Sequence, residues 1–302
     1  MNIQTMSVKQ YILLQDEPAP IGFTNNGSLC WLNSLLQVLF GATAFKYAIE
    51  DTECDLANSV LSNTLMKLIR APTADASARV IAAMGSRNKL NNGQQCSWEG
   101  FDAIVNMLGH KDIIGRVANA YKLRITCPTC ANANIRYELK DDYGNITLSA
   151  PGVASEVRDE MRHIMIDTIA VMDDDKFQTY IRTHKSMMPE YTCPRGHKTE
   201  YLDRWEILSM LNEVVVMVFD KFHRKDNRYY PAEFAQKGIG GAILRWKLIG
   251  SIEHSGTMSG GHYVANTLRG AQWYYCNDGT VTPREYPHPT ENTFMLIYHM
   301  IP

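Results

Sequence analysis

The sequence predicts an α+β fold in which a helical half precedes a sheet half. Apolar residues recur at helical spacing in the first third, where Leu32, Leu35, Leu36 and Leu39 fall at i, i+3, i+4 and i+7. From about residue 121 onward the texture changes to short β-branched and aromatic runs bounded by turn residues. A chain of 302 residues with 45% hydrophobic content is long enough to bury a large core, and no repeat or low-complexity tract competes with a globular reading.

In order along the chain, residues 1–20 read as an N-terminal arm that ends in the breakers Pro18 and Pro20. The Leu-spaced helix follows, with Cys30 in its first turn and Gly41 as its stop signal. The stretches "LANSVLSNTLMKLI" and "FDAIVNML" continue in helical style, separated by the polar loop "GSRNKLNNGQQ". The sheet half is made of "YKLRIT", "ANIRYEL", "NEVVVMVF", "LRWKLIGSIEH", "HYVAN", "WYYC" and "TFMLIYHM". The segment "EVRDEMRHIMIDTIAVM" fits helix and strand equally well.

Charge and cysteine content narrow the function classes. A net charge of -2 provides no field to gather nucleic acid or an acidic membrane surface, so neither is expected as a partner. No run approaches the roughly 20 apolar residues that span a bilayer, and the first residues lack a signal-peptide pattern. Seven cysteines, an odd number, point to reduced thiols serving metal or catalysis in the cytoplasm or nucleus.

Cys30 is the first candidate. A helix start offers unpaired N–H groups that stabilise a thiolate, although a lone cysteine more often packs as a small apolar group. Catalysis also needs a base, a group that orients it and donors for an oxyanion. "HSGTMSGGHYVANTLRGAQWYYCND" supplies His262 after Gly260 and Gly261, with Asn277 and Asp278 a hairpin's length further on; His254 is a rival base in the same segment. A second constellation is "CPTC" at Cys127 to Cys130 followed by "CPRGH" at Cys193 to His197. Two such knuckles suit a tetrahedral zinc; a redox C-x-x-C would account for the first pair alone.

"GFTNNGSLCWLNSLLQVLF" resembles the cysteine box of the ubiquitin-specific protease family, G-L-x-N-x-G-x-T-C-Y-x-N-S-x-L-Q. "GSIEHSGTMSGGHYVANTLRGAQWYYCNDGTV" resembles that family's histidine box, in which Gly-His-Tyr is followed by W-x-x-F-[ND]-D-x-x-V. Between them "QQCSWEGF" looks like a degenerate Q-Q-D-A-H-E-F element, and "MLNEVVVMVFDKFHR" like the family strand ending in K-R-F. The scattered blocks cover about residues 21 to 299.

The resemblance implies a papain-like cysteine protease fold in one catalytic domain over residues 21–302. A helical thumb would span 21–120, zinc-bearing β fingers about 121–215 and a β-rich palm about 216–302. It implies Cys30 as nucleophile, His262 as general base, and Asn277 as the residue that orients the imidazole, with Asp278 as second candidate. Asn25 would donate its amide to the oxyanion beside the Cys30 N–H, and a thiolate–imidazolium pair can exist at rest. Cys127, Cys130, Cys193 and His197 would hold one structural zinc, although His197 stands where the family usually has a fourth cysteine. No organic cofactor is implied.

The expected activity is thiol-dependent hydrolysis after the C-terminal Gly of ubiquitin in conjugates or chains. Gly260 and Gly261 would suit a narrow cleft for an extended Gly-Gly tail. Phe23, Leu29 and Trp31 replace the family's Leu, Thr and Tyr, which changes packing and not chemistry. Cys96 stands where the family carries an Asp that, with Glu99, pairs the arginines of the ubiquitin tail. Loss of one charge-assisted contact, worth about 1.5–3 kcal/mol, motivates the alternative of another ubiquitin-like modifier. An inactive modifier-binding module is the other alternative.

Overall fold

The computed structural model describes residues 17–51, 60–85, 95–109, 119–140, 146–161, 164–166, 171, 173–219, 228–238, 241–257 and 260–301. Most of the predicted arm (residues 1–16) and most of the predicted polar loop lie outside these. The chain divides into two compact units: residues 1–118, 162–174 and 212–302 form one, and residues 119–161 and 175–211 the other.

The first helix of this unit among the described residues is the predicted Leu-spaced helix, α1 (Cys30–Leu39), every residue of which is buried. Burial on all sides marks it as a central core helix. Among the described residues four further helices follow: α2 (Thr43–Asp51), α3 (Val60–Arg70), α4 (Ala76–Met84) and α5 (Ser97–Leu108). The helix α5 ends where Gly109 takes a left-handed φ of 59°, a conformation that stops a helix cheaply in glycine.

These helices share a core with one face of a sheet built from β5 (Ile164–Ile166), β8 (Val214–Phe219), β10 (Ile243–Thr257), β11 (Gly260–Arg269), β12 (Gln272–Asn277), β13 (Thr280–Arg284) and β14 (Thr293–Ile301). Its order is β13-β12-β11-β10-β14-β8-β5, with β9 (Glu233–Lys237) paired to one end of β10. All neighbours are antiparallel except β5 and β8. Alternation along the strands sends Val214, Val216, Val218, Ile252, Ala265, Met295 and Ile297 into the helical core. On another part of the sheet Phe234 stacks on Trp246 at 5.2 Å and meets Tyr298 edge-on at 5.0 Å, the offset and T-shaped geometries aromatic rings favour.

The second unit is a four-stranded sheet of order β4-β1-β7-β6, made of β1 (Asn119–Thr126), β4 (Val153–Met161), β6 (Thr183–Thr192) and β7 (Lys198–Met210), with a small hairpin of β2 (Glu138–Lys140) and β3 (Ile146–Leu148). Among the described residues two helices, α6 (Pro128–Asn132) and α7 (Asp174–Arg182), interrupt the sheet half. The sequence texture did not predict α7, which buries Phe177 and Ile181 at i, i+4. The segment that fitted helix and strand equally enters β4 and β5. Pairing with β1 and β8 decides what its periodicity left open.

Candidate functional site

Cys30 occupies the first position of α1. The preceding turn is held by the side chain of Asn25, whose Oδ1 accepts the Gly27 and Leu29 N–H groups, each at 3.0 Å. Tyr263, the residue after His262 on β11, directs its backbone N–H to the Cys30 sulfur. The segment carrying the base thus lies against the helix carrying the thiol.

The electrostatics depart from expectation at this point. Burial pushes the Cys30 thiol above its usual range. The N–H groups of Tyr263, Trp31 and Cys30 itself pull the other way, and the nearby Asp278 carboxylate adds to the rise. Desolvation therefore outweighs the helix start that was expected to yield a thiolate.

His262 lies next to the β10–β11 connection, opposite Ser255, with its side chain 45% exposed. Its Nε2 stands 2.7 Å from Asn277 Oδ1 at the end of β12. Because the amide oxygen only accepts, Nε2 carries the proton and Nδ1 is left as the basic nitrogen. Asp278 lies further off, its Oδ2 3.9 Å from Nε2. That carboxylate accepts from Asn25 Nδ2 at 2.9 Å and from Asn33 Nδ2 at 2.7 Å. Asp278 takes a positive φ of 48°, which ends β12 and turns its side chain away from the path of Asn277.

Gly261 is opposite Gly256, and a Cβ on it would stand 2.3 Å from His254 Nε2 and 2.5 Å from the Ser255 carbonyl, so no larger residue fits. Gly260 pairs with Thr257 beside it. His254, the rival base, is buried with its ring 4.3 Å from the Tyr263 ring. Glu99 lies exposed in the first turn of α5. Cys96, at the cap of that helix, is half-buried. Burial pushes its thiol up, against the Glu99 and Trp98 N–H groups, so a neutral group stands there.

In the other unit, Cys127, Cys130, Cys193 and His197 converge, and their four ligand atoms all lie within 4.8 Å of one another. The topology explains it: β1 and β6 both run antiparallel to β7, so they leave the sheet at the same end, the first into Cys127 and the second into Cys193. The Cys130 and Cys193 sulfurs are 3.8 Å apart, and His197 Nδ1 lies 3.2, 3.5 and 3.8 Å from Cys130, Cys193 and Cys127. The Cys193 N–H donates to the His197 carbonyl at 3.0 Å and closes the second knuckle. Burial works against a thiolate at Cys193. The N–H groups of Arg195 and His197, with Tyr137 and Cys130, bring it down to about 6 all the same. The Tyr137 hydroxyl donates to Cys130 Sγ at 2.9 Å. This Cys3His cluster can hold a metal ion.

Three buried polar residues on or against α1 were not singled out from the sequence: Asn33, Gln37 and Arg269. A signal existed, since an otherwise Leu-rich helix carries Asn33 and Gln37 four residues apart, on one face. Among the described residues no helix is long and apolar enough to cross a membrane.

No curated protein sequence matches the chain significantly. Among solved structures, the SAGA DUB module of Ubp8, Sgf11, Sus1 and Sgf73 bound to monoubiquitin is similar at 17% identity, with a TM-score of 0.69 over 99% of this chain and 72% of that one. The same module bound to ubiquitin aldehyde also aligns at 17% identity and a TM-score of 0.69, over 95% and 71%. A yeast SAGA module with a mutant Sgf73 aligns at 16% identity and 0.70, over 95% and 70%. These likenesses concern the fold. The sequence itself matches the ubiquitin carboxyl-terminal hydrolase family over residues 21–298. Since that match runs from the turn before Cys30 to the last core strand, as the two boxes imply, the chain belongs to the ubiquitin carboxyl-terminal hydrolase family, whose members are cysteine-type hydrolases acting on ubiquitin conjugates.

Proposed function

We propose that Cys30 is the nucleophile and His262 the general base of a deubiquitinase reaction on the bond after ubiquitin's C-terminal Gly. The contact that carries this reading is His262 Nε2 at 2.7 Å from Asn277 Oδ1, with the adjoining Tyr263 N–H on the Cys30 sulfur. His262 Nδ1 takes the thiol proton as the sulfur attacks the scissile carbonyl, and Asn277 holds the imidazolium that forms. The carbonyl oxygen becomes an oxyanion, stabilised by the Cys30 N–H and the second N–H of the Asn25 amide, the first being taken by Asp278. His262 then gives its proton to the leaving amine, and a water activated by the same residue releases ubiquitin from the thioester.

The burial that raises the Cys30 thiol pKa favours this concerted sequence over attack by a resting thiolate. Glu99, exposed on α5, is positioned to meet a basic ubiquitin tail. That two neighbours carry monoubiquitin or ubiquitin aldehyde supports ubiquitin as the partner. Asp278 acts through Asn25 in this reading, not on the imidazole.

The ion we assign to the Cys3His cluster is zinc, in a structural role. Three thiolates and an imidazole form the soft, closed donor set zinc prefers. With Zn–S bonds of about 2.3 Å a tetrahedron has edges of about 3.8 Å, which is the Cys130–Cys193 separation. When bound, zinc would tie the two knuckles together. The six cysteines among the described residues are all free, which supports a reducing compartment, cytoplasmic or nuclear.

The test is Cys30→Ala with a ubiquitin–fluorophore substrate. Turnover should vanish while ubiquitin binding persists, and turnover within tenfold of wild type would remove Cys30 from its role.

A further inference from the structure

The segment that delivers Asn25 runs back along α1, and one face of that helix holds it at successive turns. At the start of the helix, Asn33 Nδ2 faces the Phe23 and Thr24 carbonyls at 3.4 and 3.5 Å and donates to Asp278 Oδ1 at 2.7 Å. One turn on, Gln37 Nε2 donates to the Ile21 carbonyl at 2.6 Å. Another turn on, at Gly41, the guanidinium of Arg269 fills the side-chain position: a Cβ there would stand 2.1 Å from Arg269 Nη1. Arg269 donates to the Gln37 carbonyl at 2.6 Å and to Thr267 Oγ1 at 2.5 Å, and its Nε lies 3.8 Å from Glu17 Oε2. Lys46 also pairs with Glu17.

Positions 33 and 37 are spaced by four and so share a face of the helix, and Gly41 lies just past its end. Polar groups on a central core helix need a reason, because each costs about 1–3 kcal/mol when left unpaired. Asn33 is 2% and Gln37 3% exposed, and the Asn33 Oδ1 has no partner among the described residues. Apolar residues would pack this face without that cost, but they would leave the backbone carbonyls of Ile21, Phe23 and Thr24 without these donors.

We propose that Asn33, Gln37 and the Arg269–Glu17 pair form a ladder that seats residues 17–25 on the catalytic helix and thereby sets the side chain of Asn25. They are positioning residues, remote from the reacting atoms. Asn25 is fixed from two sides, by its own turn and by Asp278. Asp278 is in turn tied to Asn33 and, through its carbonyl, to the Phe23 N–H at 2.8 Å. Loosening any rung lets the Asn25 amide drift relative to the Cys30 N–H, the second donor to the oxyanion. The inference rests on the oxyanion role given to Asn25 above.

The test compares Gln37→Met, which keeps length and helix propensity but removes the donor, with Glu17→Gln, which keeps shape but removes the charge. Each should lower kcat on ubiquitin–fluorophore about five- to twentyfold with KM within twofold. Alkylation of Cys30 by iodoacetamide, a displacement with no oxyanion, should stay within twofold of wild type; a general loss of structure would move both. In an Asn25→Ala background, Gln37→Met should cause no further loss of kcat, because the rung acts through Asn25. If Asn25→Ala is impaired while both rung variants match wild type, the ladder falls alone. An equal loss in the Asn25→Ala background also overturns it. If Asn25→Ala is itself fully active, the oxyanion reading fails and takes the ladder with it.

Discussion

Asn277 and Asp278 are consecutive in the chain yet serve different walls of the site: Asn277 Oδ1 lies 2.7 Å from His262 Nε2, and the Asp278 carboxylate binds Asn25 and Asn33. The strand ends between them, and the left-handed φ of Asp278 turns its side chain toward the segment that precedes α1.

This division predicts distinct phenotypes. Asn277→Ala should lower kcat about 10²-fold with little change in KM, and should slow alkylation of Cys30, because the imidazole loses the contact that fixes its tautomer. Asp278→Ala should lower kcat less, about tenfold, and should not slow alkylation of Cys30, since losing the carboxylate removes one of the causes that hold the thiol pKa up. A larger kcat loss for Asp278→Ala than for Asn277→Ala reverses the assignment.

The raised pKa of Cys30 sets a pH dependence. A group with a raised pKa holds its proton to higher pH, so the thiolate population falls at neutrality. The rate of Cys30 alkylation should climb through pH 7 and keep rising toward and beyond the ordinary thiol range near about 8.5. A plateau established below pH 7 would mean a preformed thiolate and contradict the raised pKa.

The Cys3His cluster should carry one zinc per chain. Metal analysis of purified protein should find it, and Cys130→Ser or a strong chelator should remove it and lower the melting temperature, because binding energy at a closed site is folding energy. Zinc-free protein whose melting temperature is indifferent to chelator would exclude a structural metal here.

Gly22 tests how tightly the site is closed. A Cβ at Gly22 would lie 2.1 Å from the carbonyl oxygen of Gly279 and 2.4 Å from its carbon, and backbone cannot swing aside as a side chain can. Gly22→Ala should push the segment bearing Asn25 away from the turn bearing Asp278. We expect kcat to fall about tenfold and stability by about 1–3 kcal/mol. Wild-type kcat and melting temperature would show that the two segments are not packed this closely.

Much of this molecule is local information. The spacing of four leucines determined α1 and placed Cys30 at its start; the glycines before His262 and the paired knuckles stood out because their chemistry needs particular residues at short range. Those readings depend on neighbours within a turn or a hairpin, and sequence encodes such distances directly. Three other features were decided only by the tertiary structure. Strand parity says that Asn277 and Asp278 face apart, but which one meets His262 depends on how β12 lies against β11. The direction of the Cys30 pKa depends on burial, a property of everything packed around the sulfur, and burial overrode the helix start visible in the sequence. The purpose of Asn33 and Gln37 depends on a segment ten to sixteen residues upstream folding back along their helix. Long-range placement of this kind is set by the whole core closing at once, so residues whose partners arrive only with that closure look, in the sequence, like ordinary polar positions on a helix.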